Sequence, residues 1–417
     1  MTPKSSPDSI PTSSPGAWLW PPTLAFVGAF AWACQDGGFA ANDAGGGSDT
    51  DEGALRRDVL RSIAHQVIVP ATADFATKAA GLQAAVGTWG AAPADGTTLG
   101  SAQQAWVDAS LQWSHLEMLQ IGPAAPPLFG PGGEDLRDAI YSWPTVDACS
   151  VDRAIAAEAY AAKDFFATQL VWDYGLDALE YLLFVHDEGH SCPSQVQLDP
   201  MWTQLGFEEI ERRRAAYAGV VAKGIADQAT LLAARWSPDG DDFANALAEP
   251  GEGASPYTSD LEALDDVFRA MFYLDKQTKD GKLGIPLGLV EGCASVPCIE
   301  MMESPYAGVA GQSIRADLEM LRLMMTGGPD PAAAVGFDDL LIQLGQSDLA
   351  ETMLTDIDLA IAQVDALEAT PQEIAAANPD DLLPLHAAIK RITAALKGPF
   401  TMALMLSIPA EGAGDND

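Results

Sequence analysis

Apolar residues recur along most of this chain at three- and four-residue spacing, the period of helices with one buried face. No stretch alternates apolar and polar residues in the way a half-buried strand requires. The pattern predicts helices over 52–86, with Pro70 kinking or breaking the first, and over 100–120, where Gly122-Pro123 stops the second. A short piece follows near 135–141, then a helix from 150 to 184 in one or two segments, and another over 199–236. Residues 237–258 gather turn formers and acids and read as a linker. A second set is predicted near 259–279, 309–325, 337–344, 347–367 and 380–406, the last interrupted by Pro399. The expected class is therefore all-α, with two four-helix-bundle-like domains over 53–236 and 259–410. The run Arg212-Arg213-Arg214 reads as a solvated face or a set of local ion pairs.

The N-terminus has a different pattern. Residues 1–16 are rich in Ser and Pro, and 17–34 form an apolar run that ends Ala31-Trp32-Ala33-Cys34. The run carries Pro21 and Pro22 and has no basic flank beyond it, which favours an export signal over a spanning helix. The ending resembles a bacterial lipoprotein signal, in which Cys34 becomes the lipidated first residue. Residues 35–52 are Gly-, Asp- and Ser-rich and read as a flexible acidic tether. The expectation is an exported protein at the bacterial periplasm or cell surface, held to the membrane by lipid at Cys34.

Charge narrows the partners. The chain has 22 Lys and Arg against 59 Asp and Glu, a net charge of −37. Such a surface disfavours nucleic acid and anionic lipid and attracts cations. Beyond Cys34 there are four cysteines, an even number in an exported chain, which suggests two disulfides. Cys293 and Cys298 bracket a short loop and are expected to pair, leaving Cys149 with Cys192. A zinc site at His186-Asp187-Glu188-Gly189-His190 beside Cys192 is the competing reading, although Gly189 and Pro193 break the helix it would need.

The candidate chemistry lies in Val171–Phe184, which is apolar nearly all round and so expected to be buried, yet carries Asp173, Asp177 and Glu180. In one helix the offsets i, i+4 and i+7 stack these carboxylates on one stripe. Buried like charges require neutralisation by a metal ion, by an arginine such as Arg315, or by protonation.

Gly175-Leu176-Asp177-Ala178-Leu179-Glu180 resembles the GxHxxE signature of the imelysin family. Trp113 and Glu117 before Ile121-Gly122-Pro123, Ile140-Tyr141-Ser142-Trp143-Pro144, Lys282-Leu283-Gly284-Ile285-Pro286-Leu287-Gly288, Glu303-Ser304-Pro305-Tyr306 and Ser313 to Leu318 resemble further family segments in the family's order. The resemblance implies two helical bundles with the motif helix facing a cleft between them. It also implies an exported, often lipid-anchored protein linked to iron uptake. The family has been classed as peptidases, but no nucleophile or complete zinc-protease motif is evident here. By the resemblance, Glu180 takes the role of the motif glutamate. Glu117 and Glu303 are candidate additions, and Arg315 and Asp317 are candidates to line the same cleft. Asp177 stands where the family has His. An all-carboxylate site favours a hard cation such as iron(III), calcium or magnesium. Three functions follow as expectations: capture of a cation or small metal complex without turnover, a metal-dependent peptidase, or a structural protein with a degenerate site.

Overall fold

The computed structural model describes residues 48–144, 147–293 and 295–409. The N-terminal signal, Cys34 and most of the tether lie outside the described residues. Helix α1 (Ser48–Ser62) runs through a π-helical turn (Ile63–Ile68) into α2 (Val69–Ala91). Pro70 does not break this rod, because it occupies the first turn of α2, where a missing N–H is tolerated. Asp95 caps α3 (Gly96–Glu117) by accepting from the Thr97 amide at 2.9 Å. The short α4 spans Leu136–Ile140.

The helix expected over 150–184 is instead broken into pieces. These are α5 (Ala148–Ala157), α6 (Phe165–Thr168), a 3-10 turn at Val171–Asp173, and α7 (Gly175–Phe184). Aromatic packing explains the break. Tyr160 stacks on Tyr217 at 5.0 Å between ring centroids, Phe165 meets the same ring edge-on at 5.6 Å, and Phe166 meets Tyr174 at 5.3 Å. Such contacts outweigh the modest helical propensity of this stretch. The predicted helix over 199–236 is likewise two, α8 (Asp199–Leu205) and α9 (Phe207–Trp236), divided at Gly206 with φ +74°.

Residues 237–258, expected as a linker, contain α10 (Phe243–Ala248). Its Leu247 is buried, and its Phe243 ring lies 5.0 Å from that of Trp236. The chain continues through α11 (Asp260–Met271), a π-helical segment Leu274–Gly284, α12 (Ala310–Thr326), α13 (Phe337–Gln343), α14 (Ser347–Asp365), α15 (Pro371–Ala377), α16 (Leu383–Ala395) and α17 (Thr401–Leu404). Among the described residues there is no strand, and no helix is long and apolar enough to cross a membrane.

Helix α2 packs on α9 and α3, α12 on α3 and α14, and α14 on α16. All these helices belong to one compact unit. The expected cleft between two bundles is not confirmed: α3 lies against α12, with Ser114 Oγ 3.0 Å from Ser313 Oγ in the interior. Cys149 pairs with Cys192 and Cys293 with Cys298, as the sequence suggested. That disposes of the zinc reading. Cys192 is oxidised, His186 faces Glu211 at 2.6 Å and His190 faces Asp199 at 3.0 Å.

Candidate functional site

The motif helix α7 is buried from Gly175 to Leu183. Two side chains of α3 fasten it: Trp106 Nε1 donates to the Leu176 carbonyl at 2.9 Å, and Gln103 Nε2 to the Leu183 carbonyl at 2.8 Å. Gly175 opens the helix at φ +90°, and a Cβ there would stand 2.9 Å from the Ile140 carbonyl oxygen. Close approach of two backbones and a left-handed dihedral both require glycine at this position of the motif.

The expected stripe of three acids does not form. Asp173 sits in the 3-10 turn, with extended Tyr174 between it and the helix. Asp177 and Glu180 do share α7, each only 4 % exposed. Neither forms a salt bridge with an arginine, although the charge of Arg137 acts on Asp177. Asp177 Oδ2 accepts from the Ser142 amide at 2.7 Å and the Ser142 hydroxyl at 3.2 Å. Glu180 Oε1 accepts from the amides of Ala307 at 2.7 Å and Tyr306 at 2.9 Å. Burial outweighs these donors, and pushes Asp177 up to about 7 and Glu180 up to about 8. Nearby Glu303 adds to both shifts.

Glu303, Glu117 and Asp317 converge on a lysine that the sequence reading did not single out. Lys282 Nζ lies 2.8 Å from Asp317 Oδ2, 3.0 Å from Glu117 Oε2 and 3.1 Å from Glu303 Oε2, and donates to Ser313 Oγ at 2.7 Å. Each of these charged side chains is at most 1 % exposed. Tyr273 donates to Glu117, Tyr141 to Glu303 at 2.5 Å, and Thr278 to Asp317 at 2.8 Å. Burial alone would strip the proton from Lys282, but the three carboxylates outweigh it and raise the ammonium well above its ordinary value. Burial raises Glu117 and Asp317, and Lys282 opposes the shift in both. Glu117 Oε1 and Asp317 Oδ1 accept no hydrogen bond.

Five acids named from the sequence, Glu117, Asp177, Glu180, Glu303 and Asp317, therefore share the interior, while Asp173 and Arg315 stand apart. Arg315 points outward to Asp365 and Glu319, so it neither lines this site nor neutralises the motif acids. Lys282 heads the Lys-Leu-Gly segment, and Tyr141 and Ser142 lie in Ile-Tyr-Ser-Trp-Pro. Both segments were legible as family markers, but not as parts of one site. The Arg212 to Arg214 run divides: Arg212 and Arg213 pair with Glu209, whereas Arg214 is fully buried, 3.1 Å from Glu211 and 5.6 Å over the Tyr181 ring.

Whether the arrangement suits a cation depends on its donors. They are all oxygens, the set preferred by hard cations, and two of them are unsatisfied. Among the described residues, however, no three His, Cys, Asp or Glu side chains are grouped as a ready-made metal cage. An entering ion would have to displace protons and loosen the contacts of Lys282. Tyr273 also lines a surface cavity of about 200 Å³ with Gln120, Arg269 and Lys276, while its hydroxyl donates to Glu117.

The imelysin family model matches residues 68–397. A search of curated proteins gave no match. Similar solved structures include two of the same all-helical kind. One is a candidate iron-regulated protein A precursor from Parabacteroides distasonis, 17 % identical, with a TM-score of 0.66 over 84 % of this chain and 95 % of that one. The other is an imelysin-like protein from Psychrobacter arcticum, 18 % identical, with a TM-score of 0.64 over 86 % of this chain and 98 % of that one. At such identities the likeness establishes the all-helical fold.

Proposed function

The chain belongs to the imelysin family, and from that premise we propose that it is an exported, iron-related protein that captures a cation or small metal complex without turnover. The observation that carries this reading is the imbalance of the interior: three carboxylates meet one lysine, the motif acids Asp177 and Glu180 are buried without a cation of their own, and Glu117 Oε1 and Asp317 Oδ1 have no partner. Such a cluster has more capacity for positive charge than Lys282 supplies. Asp177, Glu180 and Glu303 are the proposed ligands, with Glu117 and Asp317 behind them, and their oxygen donors favour iron(III) or another hard cation over zinc or copper. Export and a lipid anchor at Cys34 belong to the same proposal and rest on the lipoprotein-like signal. The Parabacteroides relative's description as an iron-regulated precursor supports the link to iron.

A second reading has its own support. Lys282 already occupies the point where three carboxylates converge, so the cluster can serve as a structural ion network with no guest. One experiment separates the two. The metal content of the purified protein is measured, and iron, calcium, zinc and copper are titrated by calorimetry into wild type, Asp177→Ala and Glu303→Gln. Capture predicts tight binding of a hard cation that both variants lose. No heat with any ion, in wild type as in variants, assigns the cluster a structural role. A peptidase would instead show chelator-sensitive cleavage of an unfolded substrate, abolished by Glu180→Gln.

A further inference from the structure

Asp173 left the motif helix but did not become an ordinary surface acid. It is 4 % exposed, and its Oδ1 accepts no hydrogen bond. It lines a separate cavity of about 510 Å³ together with Ser150, Arg153, Gln169, Leu170 and Met201. That volume suits a small organic molecule. Arg153 belongs to α5 and is exposed, and among the described residues it makes no hydrogen bond or ion pair. Its charge acts on Asp173, yet the two groups form no salt bridge. Asp173, held by the Ser150 side chain, thus forms one wall of the cavity, and Arg153 forms another with no salt bridge between them. Leu170 is 56 % exposed and Met201 49 % exposed, which gives the same cavity an apolar side. The Cys149–Cys192 disulfide joins the chain beside Ser150 to the strand of loop that leads into Val196 and Leu198, two further lining residues.

We propose that this cavity binds a free α-amino acid with an apolar side chain. The ammonium group is held by Asp173 and the carboxylate by Arg153, and the side chain lies on Leu170 and Met201. A zwitterion can engage both side chains at once, whereas a metal ion or a simple amine would engage only Asp173 and an anion only Arg153. The site is distinct from the Lys282 cluster and does not depend on cation capture there.

Calorimetry of the full chain with L-leucine, L-methionine, glycine and pentylamine tests the assignment. Leucine and methionine are expected to bind, and glycine about tenfold or more weakly for lack of apolar contact. Arg153→Gln and Asp173→Asn should each weaken leucine binding at least about tenfold. Glu303→Gln should leave it unchanged. Arg153 is exposed, so its variant keeps the fold and remains informative even if Asp173→Asn does not. Absence of leucine and methionine binding, or wild-type leucine affinity in Arg153→Gln, would overturn the proposal. So would pentylamine binding as tightly as leucine.

Discussion

The Lys282 ammonium lies 2.8 Å from the Asp317 carboxylate, with both side chains completely buried, one on the π-helical segment and the other on α12. Two charges out of water are tolerable only while each has the other. Replacing Lys282 by Met should destabilise the protein by about 3–5 kcal/mol at neutral pH, read from urea unfolding. The loss should shrink towards pH 5, where Glu117 and Asp317, already pushed up by burial, are more readily protonated. Equal loss at both pH values would mean that packing, not charge, holds this junction.

Asp177 gives a pH dependence whose sign is opposite to the usual carboxylate case. Its folded value, raised from 3.8 to about 7, lies above its unfolded value. The folded state therefore binds the proton more tightly, and the stability this confers is complete below pH 4 and disappears as pH rises through about 7. Stability measured by denaturant titration should fall over that window, and Asp177→Asn should flatten the fall. An unchanged slope in the variant would place the titration elsewhere.

Gly175→Ala forces a Cβ to 2.9 Å from the Ile140 carbonyl oxygen at a φ of +90°. A loss of about 1–3 kcal/mol in unfolding free energy is expected from this strain. Calorimetric melting would expose the alternative: a melting temperature within a degree of wild type would show that α7 can shift away from Ile140.

Removal of the Cys149–Cys192 bridge by paired Ser substitutions should lower stability by about 2–4 kcal/mol, since the bridge closes a long loop between positions 43 residues apart. The same change should also weaken leucine binding at the cavity between Arg153 and Asp173, which a purely global effect on stability would not do.

Arg315→Ala should move stability by less than about 1 kcal/mol and leave cation binding intact, because its partners Asp365 and Glu319 are at the surface. A large effect on cation titration would return Arg315 to the site from which the structure removes it.

The chain's own pattern determined the helical class, most helix positions, the burial of α7 and the cysteine pairing, because these follow from local period and from counting. The motif order also picked out Glu117, Glu303 and Asp317, although nothing local said that they would meet. Where the 150–184 stretch breaks was decided by ring packing against Tyr217 from α9, and that break carried Asp173 away from Asp177 and Glu180. The central place of Lys282 came from tertiary structure as well. A lysine in a sequence is by default a solvated charge, and only the convergence of α3, the π-helical segment, the loop at Glu303 and α12 surrounds this one with acids. Partner choice among distant residues depends on how helices pack, and that energy is spread over contacts no single segment contains.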